Sequence, residues 1–310
     1  MPQNNHYRIL SFDGGGLRGL ISLGLLKRLS SQDGCKDWFM NADMYAGTST
    51  GGLIALSLAS GKNIDEIISF YKELGPSLFN KSTFYYISSV FKFFHAGYRN
   101  VVLDHQLKSM FGEMRLNELK KNVVVASFDL SSKVGKRNSW APKIFHNFNG
   151  GDQDKDLVRK VGLYTSAAPT YLPSVEGYVD GGVCANNPSM CALAEVLDSR
   201  NTPRRNLSDV TPVSVGTGEN PVSVRRKRVK WGIIGWNKKL LTMIMDGPVG
   251  IAHFQCKNIL SEDKYRRMQV EMSEDIGMDD ASKIPEMISL PYRMAEDKIA
   301  EWAGWIRKNW

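Results

Sequence analysis

The chain alternates short apolar runs, glycine turns and helical apolar patterns, and this alternation limits it to a small set of folds. Tyr7–Phe12 is a β-branched and aromatic run that leads into three glycines, and the leucine-rich stretch after it has helical spacing. The same order recurs over residues 43–59 and 178–197. Strands that alternate with helices form parallel sheets, because each connecting helix packs on a face of the sheet. We therefore predict an α/β fold with a mostly parallel central sheet and helices on both faces.

The pattern also places further elements. We predict a helix over Asp65–Leu74 that is capped by Asn63 or Asp65 and ends before Pro76. Strands are predicted over Val123–Phe128 and Lys143–Phe148, with an exposed turn between them over Ser131–Arg137. The C-terminal third is predicted to be mainly helical, with one strand over Tyr265–Met272.

Length and composition fit one globular unit. The 310 residues are 42% hydrophobic and 23% charged, which is ordinary for a globular protein. We predict a single domain over residues 1–310, with a motif-bearing core at 7–218 and a mainly helical part at 225–310. The sequence contains no apolar run of about 18 residues, which argues against a membrane-spanning helix.

The N-terminus and the cysteines indicate a compartment. Residues 1–6 lack the basic start, apolar stretch and cleavage site of a secretory signal. The scattered cysteines form no pair or cluster with metal-ligand spacing; they are Cys35, Cys184, Cys191 and Cys256. We expect a cytoplasmic protein with free thiols, no metal site and no cofactor.

A serine lies in a pattern typical of a nucleophile. Gly47-x-Ser49-x-Gly51 falls between a predicted strand and a predicted helix, where small neighbours let the chain turn sharply and leave the serine exposed. The positive end of the following helix favours negative charge that develops beside Ser49. We predict that Ser49 is the nucleophile of an acyl-transfer reaction.

A serine hydroxyl needs a neighbouring base, and two residues are candidates. Asp180 ends a predicted strand and precedes two glycines, so its carboxylate should lie at the carboxyl edge of the sheet. His253 has the chain order of the α/β-hydrolase histidine, but its apolar surroundings favour an ordinary packed side chain. Asp180 is the preferred base and His253 the alternative.

Glycines 14–16 are candidates for binding the oxyanion of the reaction. Backbone N–H groups suit this role because they are fixed before the reaction begins, and glycines let a substrate approach them. The N–H groups of Gly14, Gly15 and Gly16 are therefore the predicted donors. Arg18 follows within one turn and either contacts an anionic head group or is simply solvated.

Three separated motifs together resemble those of the patatin-like phospholipase family. Asp-Gly-Gly-Gly-Leu-Arg-Gly at 13–19 is similar to the family's glycine loop, Gly-Thr-Ser-Thr-Gly-Gly at 47–52 to its serine elbow, and Asp-Gly-Gly at 180–182 to its aspartate motif. Ser-Ala-Ala-Pro at 166–169 is also similar. The resemblance covers roughly residues 7–218, in the family's order.

The resemblance implies an activity. It implies a patatin-like fold related to that of the α/β-hydrolases, a Ser-Asp dyad without histidine, and hydrolysis of fatty acyl esters of phospholipids or galactolipids without metal or cofactor. Membrane phospholipid is then the expected substrate. Some bacterial relatives of this kind act in antiviral defence and are switched on by cyclic nucleotides, so an anionic nucleotide activator is a further candidate partner.

Positive charge is concentrated in one window. Residues 200–239 hold ten Lys or Arg against two acids, which equals the net charge of +8 of the whole chain. Such a window suggests an anionic partner, and we expect peripheral contact with the inner face of an anionic membrane and no sequence-specific nucleic acid. The predicted contact residues are Arg225, Arg226, Lys227, Arg228, Lys230, Trp231 and Trp236. The oligomeric state stays open.

Three further points have alternatives. The aromatic segment 84–94 is either a lid or membrane contact, or a buried helix. Gly14-x-Gly16-x-x-Gly19 also fits a dinucleotide-binding oxidoreductase, but the acid that such a site needs would be Asp43, which precedes its strand. An inert membrane- or nucleotide-binding scaffold would share the fold without the activity.

Overall fold

A computed structural model describes residues 6–79, 98–134, 137–148, 156–201, 204–221 and 233–310. Their strands are β1 (Tyr7–Phe12), β2 (Met44–Thr48), β3 (Asn122–Val134), β4 (Arg137–His146), β5 (Tyr178–Asp180), β6 (Val210–Val215) and β7 (Arg266–Met268). Their α-helices are α1 (Gly19–Ser30), α2 (Thr50–Ser60), α3 (Ile64–Leu78), α4 (Asn100–Phe111), α5 (Val158–Ser166), α6 (Gly182–Ala185), α7 (Ser189–Val196), α8 (Ile233–Ile259), α9 (Ile284–Ser289) and α10 (Glu296–Asn309).

The strands form one mixed, mostly parallel sheet in the order β4-β3-β2-β1-β6-β7, with β5 also paired to β3. The pairs β3–β2, β2–β1, β1–β6 and β6–β7 are parallel, whereas β4 and β5 are antiparallel to β3. The predicted fold class is therefore confirmed.

Neighbouring residues of the central strands point to opposite faces of the sheet and enter two separate apolar clusters. Leu10, Tyr45 and Val123 belong to the larger cluster, which also contains side chains of α1, α2 and α3. Ile9, Met44 and Val124, each one residue away, belong to the smaller cluster with α7 and Cys256 of α8. This alternation is the two-residue period of a strand that is buried on both faces, as a parallel sheet between helices requires.

One edge of β3 accommodates two strands in succession. Residues 122–126 pair with β2, and the register ends with Thr48 opposite Ala126. Residues 127–129 then pair with β5, beginning with Asp180 opposite Ser127. Thr48, the last residue of β2, and Asp180, the last residue of β5, thus lie opposite neighbouring residues of β3, and Ser49 directly follows Thr48.

Two local predictions are wrong. Pro76 lies inside α3 and does not follow its end. Proline has no N–H to donate to the carbonyl of Lys72, but Lys72 is exposed, so water can bind that carbonyl. The helix continues past the proline because Leu74 and Leu78 are both buried. The predicted turn Ser131–Arg137 is largely strand in its described residues, because the antiparallel ladder of β3 and β4 extends to the pair Val134 and Arg137. Antiparallel strands can carry polar residues when one face meets water.

The C-terminal part adds an edge strand to the sheet and a helix that packs into the larger apolar cluster. β7 adds a parallel edge strand beside β6, and α10 contributes Ile299, Trp302 and Ile306 to the larger cluster. All four cysteines are free thiols. Within the described ranges, none of the helices combines the length and apolarity needed to cross a bilayer.

Candidate active site

Ser49 occupies a strained turn between β2 and α2. Its backbone angles are φ 56° and ψ −124°, a left-handed region that non-glycine residues rarely adopt. Its N–H donates to Thr165 Oγ1 at 2.8 Å, and that hydroxyl donates to the Ala126 carbonyl at 2.6 Å. The turn is therefore anchored to β3 through one buried threonine.

The glycines on either side of Ser49 are required by close packing. A Cβ on Gly47 would overlap the backbone of Gly51, and a Cβ on Gly51 would overlap the carbonyl of Phe12. The helix can begin directly after the serine only because both positions lack a side chain.

Asp180 lies fully buried beside this turn. Its Oδ1 accepts the Gly182 N–H at 2.7 Å. Burial raises the pKa of Asp180 to about 7, while the Ser49 hydroxyl and the Gly182 N–H act to lower it. Although Ser49 is near enough to influence this pKa, Asp180 Oδ2 has no hydrogen bond of normal geometry within the described residues. Oδ2 is the oxygen left to accept a proton.

The glycine loop after β1 offers fewer oxyanion donors than its sequence predicts. The Gly14 N–H donates to the Asn186 carbonyl at 2.9 Å, so Gly14 is wrong as an oxyanion donor in this conformation. The N–H groups of Gly15 and Gly16 make no hydrogen bond to another described residue. The N–H of Thr50, in the first turn of α2, is a further donor, because the first N–H groups of a helix have no partner within it.

An ion pair with the C-terminal part of the chain holds the start of the glycine loop in place. Arg267 of β7 forms a two-pronged ion pair with Asp13, with one N–H to Oδ1 at 2.9 Å, and donates to Ser214 Oγ at 2.7 Å. Burial raises the pKa of Asp13, whereas the pKa of Arg267 is raised because Asp13 outweighs the effect of burial. The bidentate geometry is that of two ionised groups, and we treat the pair as ionised.

Arg18 is buried rather than solvated. Its exposed fraction is 7%, so the solvated alternative is wrong. Burial lowers the pKa of Arg18, and the carboxylates of Asp246 and Asp275 counteract this effect. Its Nε has no hydrogen-bond partner among the described residues.

An apolar cavity of about 70 Å³ opens beside the two predicted catalytic residues. Ser49, Thr50 and Asp180 line it on one side. Much of the remaining wall is aliphatic and includes Leu53, Leu74, Leu78, Leu103, Leu172 and Met245. Such a lining suits a hydrocarbon chain whose polar end lies at the serine.

The comparisons with known proteins agree with these motifs. The family model described as Patatin-like phospholipase matches residues 10–193. The chain belongs to the patatin-like phospholipase family. CotR of Bacillus subtilis is 34% identical to this patatin-like chain over 240 residues, which cover 74% of the chain and 68% of CotR. The protein teg of Priestia megaterium is 32% identical over the same shares. The crystal structure of VipD from Legionella pneumophila aligns at 12% identity with a TM-score of 0.44, over 97% of this chain and 67% of VipD.

His253 does not line the cavity of this patatin-like protein. Its Nδ1 lies 3.1 Å from the Tyr265 hydroxyl, and its side chain faces a separate cleft with Lys257 and Arg266. Burial and the charges of Arg267 and Lys257 lower the pKa of His253. The structure thus brings Ser49 together with Asp180 and places His253 elsewhere.

Several residues of the site could not be found in the sequence. Thr165, Asn186 and Arg267 act on the serine turn and the glycine loop from distant parts of the chain, and none belongs to a recognisable motif. For Asn186, the Asn-Asn-Pro run at 186–188, separated by three residues from the aspartate motif, is a weak local signal.

Some predicted contacts lie outside the described residues. These are the basic residues Arg225, Arg226, Lys227, Arg228 and Lys230, Trp231, and the aromatic segment 84–94. Trp236 falls in the first turn of α8, but its side chain is outside the description.

Proposed function

We propose that this patatin-like phospholipase hydrolyses fatty acyl esters of membrane phospholipids, with Ser49 as the nucleophile and Asp180 as the general base. One observation carries the proposal. A strained serine follows the strand residue Thr48, which lies opposite Ala126 of β3, a buried carboxylate of raised pKa lies opposite the next residue of β3, and both side chains line the same apolar cavity.

The first half of the reaction transfers the acyl group to the enzyme. Asp180 Oδ2 takes the proton of the Ser49 hydroxyl as Oγ bonds to the ester carbonyl carbon. The negative charge passes to the carbonyl oxygen, which the N–H groups of Gly15, Gly16 and Thr50 stabilise. When the ester C–O bond breaks, the departing alkoxide receives the proton from Asp180 and leaves as the lysolipid alcohol.

The second half regenerates the enzyme. Asp180 takes a proton from a water molecule, whose oxygen bonds to the acyl carbon on Ser49. The tetrahedral intermediate then expels Ser49 Oγ, which recovers the proton from Asp180, and the fatty acid is released. The aliphatic wall of the cavity holds the acyl chain during both steps.

The raised pKa of Asp180 suits a base that works near neutral pH. A carboxylate of ordinary pKa would be ionised but too weak to accept the serine proton efficiently. With a pKa of about 7, Asp180 is largely ionised at pH 8 and still basic enough for proton transfer.

Three substitutions test the proposal on fatty acid release from phospholipid vesicles and on a water-soluble short-chain ester. Ser49→Ala and Asp180→Asn should each lower kcat by at least about a thousandfold on both substrates. His253→Ala should retain most of the activity because its side chain lies outside the cavity. Activity that survives Asp180→Asn but is lost with His253→Ala would reject Asp180 as the base.

A further inference from the structure

The outward surface of α8 is unusually apolar for a helix that faces solvent. Eleven large hydrophobic side chains are exposed in the described residues, and six of them lie on this helix, with exposed fractions from 41% to 65%. They are Leu240, Met243, Ile244, Ile251, Phe254 and Ile259. The concentration of such side chains on one element marks an interaction surface.

The spacing of these residues makes a continuous stripe. Positions 240, 244 and 251 and positions 243 and 254 lie on one face of a helix with 3.6 residues per turn. Met245, Ala252 and Cys256 lie on the opposite face and are buried. We call the five exposed residues Leu240, Met243, Ile244, Ile251 and Phe254 the α8 stripe.

The buried face of α8 forms part of the active site. Met245 lines the cavity that contains Ser49 and Asp180, and a Cβ on Gly182 would lie 2.7 Å from Met245 Cε. The helix also packs against α6, which directly follows the Asp180 turn. One helix therefore has its inner face in the cavity wall and an apolar outer face exposed to solvent.

The sequence beside α8 identifies the charge of the partner. Residues 225–230 contain five Lys or Arg and no acid, and in the sequence they end three positions before the first residue of the helix. Each basic residue near an anionic lipid surface contributes about 1 kcal/mol to binding. An apolar stripe next to cationic residues is the composition of a helix that lies in a membrane interface.

We propose that the α8 stripe docks on an anionic phospholipid membrane, with its side chains in the upper acyl region. This inference rests on the proposed function, because a membrane lipid is the substrate that the neighbouring cavity would receive. Docking through α8 places the cavity next to the surface that supplies its substrate.

Cosedimentation with vesicles tests the docking surface. The triple variant Met243→Gln, Ile251→Gln, Phe254→Gln should bind vesicles of phosphatidylcholine and phosphatidylglycerol at least about tenfold more weakly than the parent chain. Its hydrolysis of a water-soluble short-chain ester should be unchanged, since none of the three side chains lines the cavity. Both chains should bind pure phosphatidylcholine vesicles more weakly than the mixed ones.

A matched control removes equally exposed apolar side chains from other elements. Val101→Gln, Trp140→Gln, Tyr292→Gln changes residues with exposed fractions of 73%, 71% and 50%, and it should bind the mixed vesicles like the parent. Equal loss in both triple variants would overturn the proposal, because the effect would then not be specific to α8. Unchanged binding by the stripe variant would overturn it as well.

Two further measurements separate the remaining outcomes. If the stripe variant converts an oligomer to a monomer while vesicle binding persists, the stripe is a contact between copies of the chain and the membrane proposal is wrong. Ser49→Ala should bind vesicles like the parent, which supports docking independently of catalysis. A parent chain that binds vesicles through the stripe but cleaves no ester would reject the proposed function and leave the docking surface standing.

Discussion

The motif-bearing core and the C-terminal part contribute to the site in different ways. The core supplies Ser49, Asp180 and the glycine loop from short motifs. The C-terminal part supplies support: Arg267 pairs with Asp13, the Met278 carbonyl accepts the Leu17 N–H at 2.8 Å, and Met245 closes the cavity. The comparison teaches that the reacting groups are encoded locally, whereas some of the contacts that fix their geometry, those of Arg267, Met278 and Met245, come from residues outside the matched range 10–193.

The largest effect is expected from a substitution that removes a reacting group of the core. Asp180→Asn should lower kcat by at least about a thousandfold while making the protein more stable at pH 8, with a Tm at least about 2 °C higher. Because burial raises its pKa to about 7, Asp180 favours the folded state below its unfolded pKa, and this contribution is lost as pH rises through about 7. Asparagine carries no charge to desolvate. A lower Tm at pH 8 would contradict this account.

Removing the ion pair that Arg267 of the C-terminal part forms with Asp13 should lower both the stability of the protein and its catalytic rate. Arg267→Met leaves Asp13 buried and unpaired, so the free energy of unfolding should fall by about 3–5 kcal/mol. A displaced glycine loop should lower kcat by about a hundredfold with a smaller change in KM, because the oxyanion donors act in the transition state. Chemical denaturation and steady-state kinetics on the water-soluble ester measure both.

Two matched variants sharpen that result. Arg266→Met removes the neighbouring arginine, whose partner Glu301 lies at the surface, and should change stability by less than about 1 kcal/mol. Adding Asp13→Asn to Arg267→Met should restore part of the stability, since it removes the uncompensated charge. A kcat that is normal in folded Arg267→Met would show that the ion pair supports the fold without positioning the loop.

The pH profile separates the chemistry of the core from the stability of the whole chain. On the water-soluble ester, kcat/KM should rise about tenfold per pH unit below pH 7 and level off above it, because Asp180 must lose its proton to act as the base. Circular dichroism over the same range should show a folded protein throughout. A profile without an inflection between about pH 6 and 8 would contradict the role of Asp180.

The smallest expected effect concerns the anchor of the serine turn. Thr165→Val leaves the Ser49 N–H and the Ala126 carbonyl without their partner, so the free energy of unfolding should fall by about 1–3 kcal/mol. Thr211→Val is the control, because the buried Thr211 hydroxyl has no hydrogen-bond partner within the described part of the chain and its loss should be neutral or stabilising. Equal changes in the two variants would show that the anchor adds no stability.

The sequence by itself determined the elements whose signals are local. The strands β1, β2 and β5 and the serine elbow follow from apolar runs and from glycines at fixed spacing. The choice of Asp180 over His253 for the serine's neighbour also came from the residues around each side chain. These features depend on residues within a few positions of each other, so their physical causes are visible in a linear pattern.

Only the tertiary structure decided how these pieces meet. Asp180 lies beside Ser49 because β2 and β5 share one edge of β3. Gly14 is unavailable as a donor because Asn186 accepts its N–H, and Asp13 is held by an arginine 254 positions away. Strand pairing, burial and long-range ion pairs depend on distances in space, and the order of residues along the chain does not contain those distances.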